Sequence, residues 1–148
     1  MRKYYVSNKL RQKMTIETIN DPSIAKEKFL SILSKNAKVM VFYYWKMCGH
    51  CVTFAPIWNK VVNQYKDRIH VINIELESMK RIDKKYMVSA FPSIIVYKNK
   101  NKWIDYTRER TEKELHKFIQ ENLLDNRGIL KTTPKSTRVS KKPVKKQI

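Results

Sequence analysis

An α/β domain, with a central mixed β-sheet and helices on both of its faces, is predicted by three features of the sequence. The first is an apolar run of seven residues from Val39 to Trp45, rich in β-branched and aromatic side chains. Such a run suits a central strand covered on both faces. The second is the segment after it, where Cys51, Phe54, Ala55, Trp58, Val61, Val62 and Tyr65 recur at three and four. That spacing gives one long amphipathic helix. The third is the alternation of such segments along the chain, in the order β-α-β-α-β-α-β-β-α.

Each element has its own signal. Thr15 to Ile19 alternates and reads as an edge strand. Asp21 followed by Pro22 reads as a helix start, a capping side chain ahead of a proline at the first helical position. Ile24, Phe29, Ile32 and Leu33 give that helix its apolar side. The helix from Cys48 to Tyr65 contains Pro56, which removes one backbone hydrogen bond. Ile69 to Ile74 is the next strand, and Ser78 to Met87 reads as a helix with Ser78 as its cap. Ser93 to Tyr97 and Trp103 to Tyr106 read as strands joined by the turn Lys98–Asn99–Lys100–Asn101. Thr111 opens a last helix through the capping box Thr-Glu-Lys-Glu, with Leu115, Phe118, Ile119 and Leu123 as its stripe.

The totals divide the chain into three. A length of 148 residues, 42% of them apolar, fits one folded domain. The net charge of +19 is uneven. Residues 1–14 carry five Lys/Arg and no acid, residues 127–148 carry eight and no acid, and 15–126 hold 19 bases against 13 acids. We therefore expect a basic arm over 1–14, a domain over 15–125 and a basic, disordered tail over 126–148. Two cysteines cannot build a multi-bridge secreted framework. The longest apolar run is too short to span a bilayer, and neither a secretory signal nor an ER-retention ending is seen. The expected location is cytoplasmic.

Both cysteines lie in one motif, Cys48-Gly49-His50-Cys51, between the apolar strand and the long helix. A helix N-terminus offers unpaired N–H groups and partial positive charge, which stabilise a thiolate. Cys48 is then the attacking thiol. Cys51, one turn into the helix, is the more buried thiol of higher pKa that resolves the mixed disulfide. Gly49 and His50 set the redox direction between them. A charge or hydrogen bond from His50 stabilises the Cys48 thiolate and makes the disulfide a better oxidant. Two other readings stand beside this one, half of a zinc site and a pair of inert core cysteines. His50, His70 and His116 lack the pairing that zinc wants, so no metal is expected. No cofactor is expected either, because the two cysteines do the covalent chemistry themselves.

The assembled pattern resembles the thioredoxin superfamily over about Thr15 to Leu124, and its CGHC resembles protein disulfide isomerase domains. Ala55-Pro56 and Trp58 match the A-P-x-W that follows the motif in the family. Phe91-Pro92-Ser93 stands where the family has a cis-proline loop that binds substrate backbone. The resemblance thus implies a thioredoxin fold and a substrate-binding rim of Ala90, Phe91, Pro92 and Met47. Tyr106, Arg110 and Thr111 match the isomerase-type Y-x-G-x-R-T, with Arg108 in place of the glycine. The family's arginine eases deprotonation of the second cysteine, a role the resemblance gives to Arg110; a solvated charge at a helix start is the other reading. The chain also departs from the family. Met47 replaces the tryptophan before the first cysteine, Val52 the lysine after the second, and Phe42 the buried acid that shuttles a proton. A slower resolving step is implied, or a proton passed to water or to another carboxylate, for which Glu75 is the candidate.

The expected function is a thiol–disulfide oxidoreductase acting on protein thiols and disulfides, more oxidising than thioredoxin. The alternative is a redox-weak binding or structural module of the same fold, whose basic tail holds an acidic or nucleic-acid partner. An oxidising motif at a reducing address fits a virion-associated factor. The abundance of Lys, Ile and Asn also fits an A/T-rich genome, such as some parasites or large DNA viruses have. The cluster Lys141, Lys142, Lys145 and Lys146 suits nucleic acid, an acidic partner, an anionic membrane surface or a nuclear import receptor, with a solubilising tail as the other reading; a tail of this charge binds phosphate weakly and in a salt-sensitive way.

Overall fold

The computed structural model describes residues 14–124, so the expected arm and tail lie outside the described residues apart from Met14. The apolar run forms β2 (Val39–Tyr44), the middle strand of five. β1 (Ile16–Ile19) and β3 (His70–Glu75) run parallel to it, β4 (Ser93–Asn99) and β5 (Lys102–Asp105) are added antiparallel, and the order is β1-β3-β2-β4-β5. This is the mixed sheet that the alternating segments predict.

Strand parity divides the core. Val39, Val41 and Tyr43 point to one face, with Ile72 and Ile74 of β3, and meet α1 (Ala25–Lys35) through Phe29 and Leu33. Met40 and Phe42 point to the other, with Val71 and Val96, and meet α2 (Gly49–Gln64) and α4 (Glu112–Asn122) through Trp58, Val61, Leu115 and Phe118. Each apolar side chain fully buried this way contributes about 1.5–3 kcal/mol. The first face also buries three tyrosines, and their hydroxyls are paired. Tyr43 Oη donates to the Tyr86 carbonyl at 2.8 Å and lies 2.6 Å from Tyr97 Oη, and Tyr86 Oη donates to the Lys100 carbonyl at 3.0 Å. Buried hydroxyls left without partners would destabilise this face.

The caps are where the side chains put them. Asp21 accepts from the Ser23 N–H at 3.0 Å and opens a short 3₁₀ turn, Pro22–Ile24, that runs into α1. Thr111 accepts from the Glu114 N–H at 3.2 Å at the start of α4.

One predicted element is corrected. In place of a helix from Ser78 to Met87, the chain makes a single turn, α3 (Leu76–Met79), and then a 3₁₀ turn at Lys84–Tyr86. Ser78 is fully buried inside α3, and Glu75 is the residue that caps it. Met79, Ile82 and Tyr86 are all buried in the α1-side core. Their spacing suits one helical face, but Asp83 takes extended backbone (φ −63°, ψ 143°), with its carboxylate 3.5 Å from Lys26 Nζ, and that interrupts the helix between Ile82 and Tyr86.

Candidate active site

β2 ends at Tyr44 and α2 begins at Gly49, so the dithiol lies at the C-terminal end of the parallel strands. Cys48 is itself the N-cap of α2. Its Sγ accepts the Cys51 N–H at 3.2 Å, one of the donors the first helical turn leaves free. On its other side Sγ is 3.6 Å from the Phe91 carbonyl oxygen. Cys48 is only 9% exposed, and Cys51 3%. The attacking thiol is therefore less open than the sequence reading has it, because the 90–92 loop covers it.

The two thiols are pushed in opposite directions. Cys48 is lowered from the usual thiol range by hydrogen bonding to Cys51, first from its side chain, then from its backbone and the His50 backbone N–H, and by the Arg110 charge; desolvation opposes this. Cys51 is pushed up to about 11, chiefly by burial and next by the Cys48 thiol. The Trp45 N–H, 3.5 Å from Cys51 Sγ, and the Arg110 charge act the other way.

The remaining predicted residues are distributed around this pair. His50 is exposed, and what it offers the thiolate is its backbone N–H rather than its imidazole. Gly49 opens the helix without a positive φ, and a Cβ there would meet nothing within 4 Å. The Phe91–Pro92 bond is cis, and Ala90 is exposed beside it, its carbonyl accepting from Ser93 Oγ at 2.7 Å. Met47 is 72% exposed at the rim. Arg110 is exposed, and its charge lowers both thiols. Glu75 does not line the cavity beside Cys51 and is not among the groups that shift its thiol. It is 7% exposed at the end of β3, its Oε1 accepts the Glu77 N–H at 2.9 Å, and the ionisable group it raises is Tyr44.

Phe42 fills the space behind Cys51. Its ring stacks on Trp58 at 4.6 Å between centroids and on Tyr44 at 5.7 Å. It pairs in register with Asn73, whose Oδ1 takes the Trp58 indole N–H at 2.8 Å. A cavity of about 320 Å³ remains, lined by Phe42, Tyr44, Lys46, Cys51, Trp58 and Asn73 among others. The sequence reading missed the Trp45 N–H, Asn73 and this cavity, which all depend on contacts between strands and helix. Among the described residues no group of three or more His, Cys, Asp or Glu could hold a metal ion. No helix among them is long and apolar enough to cross a membrane.

The thioredoxin family model matches residues 21–121, which include the whole of this site. The chain belongs to the thioredoxin family. Among similar proteins, Drosophila melanogaster protein disulfide-isomerase is 33% identical over 91 residues, covering 61% of this chain and 18% of that protein. Arabidopsis thaliana thioredoxin Y1, chloroplastic, is 32% identical over 92 residues, covering 62% of this chain and 54% of that one. The chain thus spans about a fifth of the first and about half of the second. The J-Trx1 fragment of ERdj5 superposes with a TM-score of 0.63 at 17% identity, covering 73% of this chain and 51% of the fragment, and shares the fold. The sheet and its flanking helices are those of the thioredoxin family, and the matched residues include the CGHC pair.

Proposed function

We propose that the protein is a thiol–disulfide oxidoreductase that exchanges disulfides with protein substrates through Cys48 and Cys51. One observation carries this reading. Cys48 Sγ takes the Cys51 N–H at the mouth of α2 and is lowered in pKa, while Cys51 Sγ is buried and raised to about 11. One thiol is ready to attack and the other keeps its proton until it is needed.

In the reductive direction, the Cys48 thiolate attacks one sulfur of a substrate disulfide. A Cys48–substrate disulfide forms and the other substrate sulfur leaves as a thiolate. Cys51 then gives up its proton, attacks Cys48 Sγ and closes the Cys48–Cys51 disulfide, and the second substrate thiolate departs. Two electrons have passed to the substrate. Run backwards, the same steps oxidise a dithiol. Lowering Cys48 stabilises the reduced form, which favours the oxidising direction relative to a dithiol of ordinary pKa. Isomerisation needs only that the first step reverse before Cys51 acts. The substrate chain lies along Ala90, Phe91 and Pro92 with Met47 at the rim, and Arg110 assists both ionisations. With no acid at Phe42 and Glu75 outside the cavity lining, the Cys51 proton leaves to water in the cavity, so resolution is the slow step.

Insulin reduction by dithiothreitol tests the reading. The wild type should accelerate it and Cys48→Ser should not. Equal rates from the two proteins at neutral pH would leave the redox-weak binding module as the better account. Cys51→Ser should retain substrates as mixed disulfides that dithiothreitol releases.

A further inference from the structure

The charge of the domain is concentrated at one end. Three loops, 35–38, 66–70 and 98–102, carry Lys35, Lys38, Lys66, Arg68, Lys98, Lys100 and Lys102 against a single acid, Asp67. The rest of residues 15–126 holds twelve Lys/Arg and twelve Asp/Glu, so the excess of the domain lies in these loops. The carboxylates of Glu17, Glu77, Asp83, Glu112 and Glu121 are taken up by Lys28, Lys80, Lys26, Lys60 and Arg108, none of which belongs to them.

Sheet register brings the three loops together. Val39 pairs with His70 on one side and with Tyr97 on the other, and Tyr97 pairs with Trp103. Lys38, Arg68, Lys98 and Lys102 therefore border the same end of four neighbouring strands. At the usual strand spacing that row is about 14 Å wide, close to four nucleotides along one strand of a duplex. Lys85 reaches the same turn, its Nζ donating to Asn101 Oδ1 at 2.9 Å. His70, held below the usual imidazole range by burial, adds no charge at neutral pH. The dithiol is at the opposite end, with the length of β2, roughly 17 Å, between them.

Both ends of the described chain leave from this side. The Thr15 carbonyl accepts from the Val71 N–H, next to His70, and Leu123 and Leu124 pack with Tyr65 and Ile69. The segments that follow, 1–13 and 125–148, carry five and eight Lys/Arg against Asp125 alone.

We propose that this end of the domain, opposite the dithiol, is a surface that seats the phosphate backbone of nucleic acid. Charge complementarity calls for a polyanion, and the lack of an apolar wedge among the described residues chooses among polyanions. Among the described residues, the exposed large apolar side chains Ile24, Trp45, Met47 and Val52 follow the other ends of the strands, and Trp103 alone is near. A helix or loop seated in a lipid surface needs more apolar area than that. Six of the seven cations are lysines, point charges without the planar fork that reads bases. Binding is therefore sequence-independent, and a bound molecule keeps Cys48 facing outward.

Fluorescence anisotropy of the full chain with a labelled 20-base-pair DNA duplex tests this. If about five phosphates are neutralised, affinity falls about 500-fold between 50 and 200 mM salt. Combining Lys38→Gln, Lys98→Gln, Lys100→Gln and Lys102→Gln should weaken binding more than about tenfold at 50 mM salt and flatten the salt slope by about three to four. The same exchange at Lys26, Lys80, Lys113 and Lys117 should change affinity less than about threefold. Circular dichroism of both variants should match the wild type, and alkylation of Cys48 by iodoacetamide should keep its rate under saturating duplex. Equal losses from the two variants, a wild-type slope in the first, or no duplex binding at all would each overturn the proposal. Tighter binding to phosphatidylserine vesicles than to the duplex at equal salt would overturn the partner, and protection of Cys48 by the duplex would overturn the placement.

Discussion

Cys48 and Cys51 are three residues apart and have opposite proton affinities, because one sulfur receives the helix N-terminus while the other is shut behind it. Cys48 Sγ takes the Cys51 and His50 N–H groups, whereas the one backbone donor to Cys51 Sγ is the Trp45 N–H at 3.5 Å and its other partner is the Cys48 sulfur itself. Alkylation against pH reads this directly. In Cys51→Ser, Cys48 should react with iodoacetamide with a midpoint below the free-thiol value of about 8.5. In Cys48→Ser, Cys51 should react with a midpoint above it, since burial, the larger cause of its shift, remains. Coinciding midpoints would remove the asymmetry on which the exchange mechanism rests. Behind the pair, Phe42 is a packing residue. Stacked on Trp58 and Tyr44 and 4% exposed, it should lose about 3–5 kcal/mol on Phe42→Ala in urea unfolding. A loss under about 1 kcal/mol would mean that the aromatic cluster collapses into the gap.

At the scale of elements, local side-chain chemistry decided most boundaries. Thr111→Ala removes the oxygen that holds the Glu114 N–H and should cost about 1 kcal/mol, measured by urea unfolding. No change would show that Leu115 and Phe118 hold α4 without its cap. The same kind of signal made β2, α2, β3, β4 and α4 legible in the sequence, to within a residue or two at most ends, because a cap or a period is local. Ser78 to Met87 was not legible in that way. Its helical spacing is present and its apolar residues are buried as a helix would bury them, yet Asp83 turns extended beside Lys26 of α1, a neighbour distant in sequence. The site divides along the same line. Motif spacing puts Cys48 and Cys51 at the mouth of α2. The carbonyl of Phe91 over Cys48, the Asn73–Trp58 bond and the diversion of Glu75 into a cap are set by which strands and loops become neighbours.

Across the whole molecule, the two thiols tie stability to redox state and pH. The unfolded reduced chain titrates both near 8.5. Cys48 is lowered on folding, so between its folded value and about 8.5 the unfolded chain binds more protons, and reduced-state stability rises with pH. Cys51 is raised to about 11, so from about 8.5 to 11 the unfolded chain binds fewer protons, and that stability falls again. The oxidised protein has neither thiol and lacks both slopes. The stability of reduced over oxidised protein should therefore pass through a maximum near pH 8.5, seen as the difference in urea unfolding free energy with and without a phosphine reductant. A thermodynamic cycle makes this difference equal to the shift in disulfide potential between folded and unfolded chains, about 30 mV for each 1.4 kcal/mol. A more stable reduced form means a stronger oxidant. If the difference is flat from pH 6 to pH 10, the thiols do not titrate apart in the fold, and the oxidising direction loses its physical basis.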